Sequence, residues 1–477
     1  MGILKNTGVL LASEFIAKGI AFLLIPLYSF VIAPEDFGKI AILQLFFTGF
    51  FLIISFSLKS TFDKYYFDND GKPVTALFTN LAVLQCISIL FGSILYLSLR
   101  VSILDLIDIE NTAYLDLVFF TSVVAIFFPV VSSYLICVGN VKKIGLISIV
   151  ISIVRSLFAL ILVLKMENKI LAVLLANFIE QLLGLLISMP YYFKSLKVGL
   201  IESTFIKEMG RYSILFFPAI LSTFLIKFSD RLMIQLMLGY HSLGIYSMGT
   251  RLVNIPGQFI STVNKNFTPQ IYQSISEKNR NKFNQLIKFF LIAIFVLLFA
   301  LILFSKEIFY IIGENYQTSF IIFIILSFSS YINGYNLILQ PSMTYFSEFV
   351  KYKSIIFMTI GVINIILNII VIPIYGINGA AIVTAFSYFI SIPFSYHYSK
   401  KAFSGDYFMK WFFLSSLALI GISIYMIFSA NENSKFEFLI RVILYFGISY
   451  IFIGKLVNFK DLYVKLMRFL RKKITSK

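Results

Sequence analysis

Apolar runs of about twenty residues, separated by short polar breaks, fill the whole 477-residue chain. A hydrocarbon core about 30 Å thick requires helices of that length to cross it. The runs predict spans near 8–31, 38–58, 74–99, 116–138, 146–164, 170–193, 212–238, 245–268, 285–304, 319–340, 354–374, 379–399, 411–430 and 438–454, about fourteen in all. Barrel strands would instead alternate apolar and polar residues over ten-residue segments, and these runs do not. The expected class is therefore an all-α membrane protein.

Composition agrees: 59% of residues are hydrophobic and 13% charged, where soluble domains sit near half and a quarter. The first run is too long for a cleavable signal peptide, carries Glu14 and Lys18, and meets no small-residue cleavage site. Cys86 and Cys137 fall in different apolar runs, and His241 and His397 are far apart. That pattern suits neither a disulfide framework nor a metal cluster, so no metal or cofactor is expected. The absence of a GxxxxGK[ST] motif excludes a built-in nucleotide motor.

Forty Lys and Arg face 23 Asp and Glu, a formal charge of +17. In a membrane chain this surplus speaks of topology, not of nucleic acid. With the N-terminus inside, alternate connections are rich in Lys and Arg, while the others hold only Arg100, Lys165, Lys169, Lys306 and Lys435. Both termini are thus expected in the cytoplasm. The tail "KLVNFKDLYVKLMRFLRKK" interleaves bulky and basic residues at helical spacing, which suits the anionic inner leaflet.

A weak internal repeat is present. "APEDFGKIAI" (33–42) matches "GYHSLGIYSM" (239–248), and "ENKILAVLLA" (167–176) matches "GINGAAIVTA" (376–385), at offsets of 206 and 209 residues. Six predicted helices separate the equivalents, so the halves share one orientation and form two six-helix bundles about an axis along the membrane normal. The expected division is an N-terminal lobe over 1–200, a second over 201–405, two additional helices over 406–455 and a basic tail over 456–477.

Charged residues interrupt the apolar runs, although each costs about 2.5–3.5 kcal/mol at a helix centre. Glu14 and Lys18 share one face of the first helix, Arg155 lies midway along the fifth and Glu180 midway along the sixth. Lys227, Asp230 and Arg231 share a face of the seventh, and Arg251, Asn254, Gln258, Thr262 and Lys265 form a polar stripe along the eighth. Such groups face protein or water-filled cavities and mark function by default. Six cations against three acids give a positive cavity, suited to phosphate or pyrophosphate. The acids Glu14, Asp230 and Glu180 either couple to a cation or pair structurally with Lys18, Lys227 and Arg155. Lys265, near the inner end, has the alternative of snorkelling to the interface. Asn333, Asn336, Asn364 and Asn368 read as interhelical hydrogen-bonders.

The stretch 229–252, "SDRLMIQLMLGYHSLGIYSMGTRL", resembles the seventh helix and following turn of polysaccharide (O-antigen, capsule) repeat-unit flippases. These belong with MATE exporters and lipid II flippases in the MOP superfamily. "IPLYSFVIAPEDFGKIAI", "FDKYYFD" and "IPIYGINGAAIVTA" are similar to further landmarks of that group. The resemblance implies two lobes around a V-shaped cavity, alternating access, and an oligosaccharide on undecaprenyl pyrophosphate as substrate, with no enzymatic activity. It assigns the anionic head to Lys18, Arg155, Lys227, Arg231, Arg251 and Lys265, and Gln258 of the polar stripe is expected beside them as substrate-binding. Asp230 and Arg231 fill the group's Asp-Arg pair; Lys18 and Arg155 match by location. The two additional helices resemble the pair that forms a lipid-tail groove in lipid II flippases. Implied partners are membrane lipids and polysaccharide polymerase or other assembly proteins. The rival readings are a MATE-type multidrug or cation exporter, which a basic cavity disfavours, and a membrane polysaccharide polymerase or ligase, which should carry a large outward loop.

Overall fold

The computed structural model describes residues 24–67, 73–109, 111–429 and 435–456, together with Ser13, Ile16, Gly19 and Ile20. Every regular element among them is helical. In chain order the α-helices are α1 Leu24–Val31, α2 Pro34–Ser55, α3 Leu58–Phe67, α4 Val74–Ile107, α5 Ala113–Ala125, α6 Phe127–Cys137, α7 Val141–Lys165 and α8 Lys169–Ser195. There follow α9 Ser203–Ser276, α10 Arg280–Leu303, α11 Ser305–Tyr310, α12 Ser319–Tyr345, α13 Ser347–Ala402, α14 Met409–Phe428 and α15 Lys435–Leu456. Among the described residues, ten helices are long and apolar enough to cross a membrane. The protein is thus a multi-pass membrane protein.

Local chemistry sets the boundaries. Pro34 opens α2, followed by Glu35 and Asp36, whose charges suit a helix N-terminus. Asn168 caps α8 by accepting from the Leu171 amide at 2.9 Å, and Asn279 caps α10 through the Lys282 amide at 3.0 Å. The long helices α9 and α13 each bend at one glycine, Gly239 (φ 79°) and Gly376 (φ 59°). Only a residue without Cβ takes those angles at no steric cost. Both glycines fall in breaks that the hydropathy pattern predicts.

Two elements differ from expectation. The connection expected around 59–73 contains α3, whose Phe62 and Tyr65 are buried among Phe78, Val131 and Tyr192. Its Lys and Asp residues dilute the hydropathy, so only the aromatic spacing marks the helix. Helix α4 runs on to Ile107 because Arg100 is held by both carboxylate oxygens of Asp116, each at 2.8 Å.

The chain forms two compact units. The first comprises Met1–Ile255, Ile312–Ser319 and Gly361–Val383. In it α7 packs on α8, and α2 packs on α4, α5 and α8. The turn entering α2 meets the bend in α9 backbone to backbone. A Cβ on Gly38 would stand 2.0 Å from the Tyr240 carbonyl oxygen, and one on Gly244 1.7 Å from that of Pro34. Pro34 with Tyr240, and Gly38 with Gly244, are each 206 residues apart, the offset of the sequence repeat. Equivalent positions of the sequence repeat therefore contact one another reciprocally. Segment 312–319 joins the same region: the Gly313 amide donates to Ser29 Oγ at 2.9 Å and the Tyr316 hydroxyl to the Ile32 carbonyl at 2.8 Å.

The second unit comprises Pro256–Ile311, Phe320–Ile360 and Thr384–Lys477. Here α10 packs on α14 and α15, and Tyr331 and Tyr335 of α12 stack on Phe412 of α14 with centroids 5.6 and 4.0 Å apart. The Tyr335 hydroxyl donates to the Tyr407 carbonyl at 2.8 Å. Burial raises the Tyr407 phenol above its ordinary pKa, so it stays a donor, to Ser342 Oγ at 2.7 Å.

Candidate functional site

The polar groups of the first unit collect where α1, α2, α7, α8 and α9 supply one or two each. Arg251, half-buried on the second half of α9, donates to Gln44 Oε1 of α2 at 2.8 Å. Its guanidinium lies over the rings of Phe37 (4.5 Å) and Tyr28 (5.8 Å), so aromatic faces stand where carboxylates would otherwise stabilise it. Arg155 on α7 reaches α8, with Nε 3.1 Å from Glu180 and an Nη2 donation to Asn177 at 3.1 Å. This pairing is one of the alternatives the sequence leaves open. Arg155 and Glu180 keep 32% and 26% of their side-chain surface exposed, so solvent screens the pair.

Arg251 lies within electrostatic reach of both Arg155 and Arg231. Tyr28 in turn feels Arg155, Arg251 and Glu180. Arg155, Arg251 and Glu180, named from sequence, therefore all act on Tyr28, and Arg231 lies within reach of Arg251. Burial pushes the Tyr316 phenol up, with nearby Arg251 opposing, so Tyr316 remains a neutral donor beside the cluster.

Asp230 is 7% exposed and accepts from Asn368 Nδ2 of α13 at 2.6 Å. The same amide donates to Asn364 Oδ1 at 3.1 Å. The asparagines of α13 thus hold a buried carboxylate, a stronger interaction than the neutral bond expected from sequence. Glu14 and Lys18 lie outside the described residues, as does the side chain of Lys227. Gln258 and Lys265 are exposed and belong to the second unit. Among the described residues no three His, Cys, Asp or Glu gather to hold a metal ion.

Sequence reasoning misses Tyr28, Phe37, Gln44 and Asn177. The available signal is slight: Gln44 is the solitary amide of α2, and Asn177 lies one turn before Glu180 and Gln181 in an otherwise apolar α8. It also misses a second ionic cluster, in the second unit. There Lys306 pairs with Glu437 at 2.7 Å and Arg441 with Glu307 at 2.7 Å. Lys306 also donates to the Ser429 carbonyl, and Arg441 to that of Leu303 at 3.3 Å. Arg441 is only 1% exposed. Lys306, expected as a loop cation, is buried because Glu437 on α15 neutralises it.

The described residues thus form a multi-pass helical bundle with a half-buried basic cluster. The fold matches the lipid II flippase MurJ in an inward closed conformation, with TM-score 0.73 and 16% identity over 95% of this chain and 99% of that one. It also matches an inward-facing multidrug resistance MATE transporter of the MOP superfamily, with TM-score 0.68 and 12% identity over 81% and 94%. Residues 3–273 match the polysaccharide biosynthesis protein family, and the chain belongs to that family. One relative, the capsular polysaccharide biosynthesis protein CapF of Staphylococcus aureus, is 25% identical over 179 residues, 36% of this chain and 45% of CapF.

Proposed function

We propose that the protein is a flippase that moves an oligosaccharide linked to undecaprenyl pyrophosphate from the cytoplasmic to the outer leaflet of the bacterial cytoplasmic membrane. The observation that carries this reading is the gathering of Arg155, Arg231 and Arg251 in one electrostatic neighbourhood, set beside membership of a polysaccharide biosynthesis family. Guanidinium groups suit the oxygens of a pyrophosphate, which they bind by paired, charge-assisted hydrogen bonds. Lys18, Lys227, Gln258 and Lys265 are the further head-group ligands of this reading, carried from the sequence, while the prenyl tail stays in lipid. Two six-helix lobes over 1–200 and 201–405 rock about the repeat axis, and the contact of Gly38 with Gly244 parts when the outer side opens. Asp230, held by Asn368, is the group through which a coupling cation acts, and Glu180 stands as counter-ion to Arg155. Both termini lie in the cytoplasm, and the polysaccharide polymerase acts on the flipped product.

The test is analysis of lipid-linked intermediates in a deletion strain. Accumulation on the cytoplasmic face, relieved by the wild-type chain but not by Arg251→Ala, is the expected result. Normal surface polysaccharide with Arg251→Ala overturns the reading. Export of a cationic dye, abolished by Asp230→Asn, would instead favour a cation exporter.

A further inference from the structure

Arg251 differs from several other arginines of the chain in what holds it. Arg100 pairs with Asp116, Arg155 with Glu180 and Arg441 with Glu307, each through a carboxylate. Arg251 donates through Nη2 to the side-chain amide of Gln44, at 2.8 Å. A carboxylate neutralises the guanidinium it fixes; an amide fixes it and leaves the charge whole. Among the described residues, this is the one hydrogen bond that the Arg251 guanidinium makes.

The orientation of the Gln44 amide follows from elementary chemistry. A guanidinium can only donate, so the amide turns its oxygen to Arg251 and its nitrogen away. The N–H groups of Gln44 Nε2 meet no acceptor among the described residues, and Gln44 is half-buried, not sealed. Phe37, Gln44 and Thr48 follow on α2 at steps of seven and four, which puts them on one helix face. Phe37 lies against the guanidinium at 4.5 Å, and Thr48 at the other end of the stripe is exposed. The donors of Gln44 therefore stand on the partly open side of α2 that faces Arg251. A neutral donor beside a cation suits an anion with several oxygens, which can present one to each.

We propose that Gln44 is a ligand of the anionic head: Nε2 donates to one diphosphate oxygen while Oε1 holds Arg251 for another, an inference that rests on the flippase reading. The neutrality of this side chain is the property that matters. Glutamate has the same length and would keep the bond to Arg251, in a stronger, charge-assisted form. It would also cancel the charge of Arg251 and set a negative edge where the diphosphate has to lie. Methionine fills a similar volume and offers neither the acceptor nor the donors.

Binding of farnesyl diphosphate to the purified full-length protein in nanodiscs, with thermal unfolding of each variant, tests this. Gln44→Met should bind about tenfold more weakly, the scale of one hydrogen bond to a charged group. Gln44→Glu should bind more weakly still, yet melt no lower than wild type, because its carboxylate pairs with Arg251. An amide with a purely structural role gives the opposite order: Gln44→Glu, which keeps the bond to Arg251, binds like wild type. That order, or wild-type affinity in both variants, overturns the proposal. A contact measurement stands beside these: with Cys86 and Cys137 replaced by serine, Gln44→Cys should react with a water-soluble methanethiosulfonate. Saturating farnesyl diphosphate should protect the new thiol; a thiol that stays unreactive, or reacts equally with ligand present, overturns the proposal. Arg251→Ala separates the two readings. Lost binding there with wild-type affinity in the Gln44 variants sinks the Gln44 assignment alone, whereas wild-type affinity in Arg251→Ala sinks the head-group reading itself.

Discussion

The two ionic clusters share a chemistry and differ in balance. In the second unit Lys306, Glu437, Glu307 and Arg441 form two pairs, with both members of one and the arginine of the other under 10% exposed. In the first unit Arg155, Arg231 and Arg251 share a neighbourhood, with Arg155 and Glu180 near 30% exposed and Arg251 held by an amide and two rings. Buried ions matched one to one have their charge satisfied within the protein and join α15 to α10 and α11. Arg251, partnered by two aromatic faces and a neutral amide, is the cation whose field the proposed function leaves for an anion from outside, while Arg155 is shared with the screened Glu180. Balance and exposure, more than the presence of charge, separate a structural cluster from a binding one.

Breaking the matched cluster should give the largest effect on stability. Lys306→Met strands Glu437 in an apolar setting, and losing one partner of a buried pair costs about 3–5 kcal/mol. Thermal unfolding in detergent should show a clear loss, and Lys306→Met with Glu437→Leu should recover much of it. Gly244→Ala comes next. Its new methyl group meets the Pro34 carbonyl, and overpacking of this kind costs about 1–3 kcal/mol. Gly38→Ala should behave alike, and combining the two should be less than additive, because one contact is lost twice.

The proposed binding cluster should respond in the opposite manner. Arg251→Gln removes one charge-assisted hydrogen bond and a ring contact, with a stability change within about 2 kcal/mol, yet it should abolish flipping in a proteoliposome assay. The smallest expected effect is that of Glu180→Gln, which frees Arg155 from a screened pair worth at most about 1 kcal/mol. Diphosphate binding should tighten about threefold, read by isothermal titration. A weaker affinity would mean that Glu180 positions Arg155 more than it neutralises it.

Much of the architecture is legible in the sequence because a bilayer imposes one simple rule on segment length. The breaks that hold Gly239 and Gly376 and the 206-residue offset relating Gly38 to Gly244 are readable from spacing, and the Arg155–Glu180 pairing is one of the alternatives it leaves open. What stays hidden depends on contacts distant in the chain. Gln44 and Arg251 lie 207 residues apart, and no local pattern joins them. Helix α3 escapes hydropathy because its buried ring positions alternate with lysine and aspartate. Lys306 and Glu437 sit at helix ends, where polar residues are expected, so their burial leaves no trace in composition.

Binding of a prenyl diphosphate oligosaccharide to purified Arg155→Ala and Arg251→Ala proteins, with Lys306→Met as the control, bears most directly on the role of the first unit. Affinity should fall at least tenfold in both arginine variants and hold in whatever fraction of the Lys306 variant remains folded. Wild-type affinity in the two arginine variants would contradict the assignment of this cluster to the anionic head.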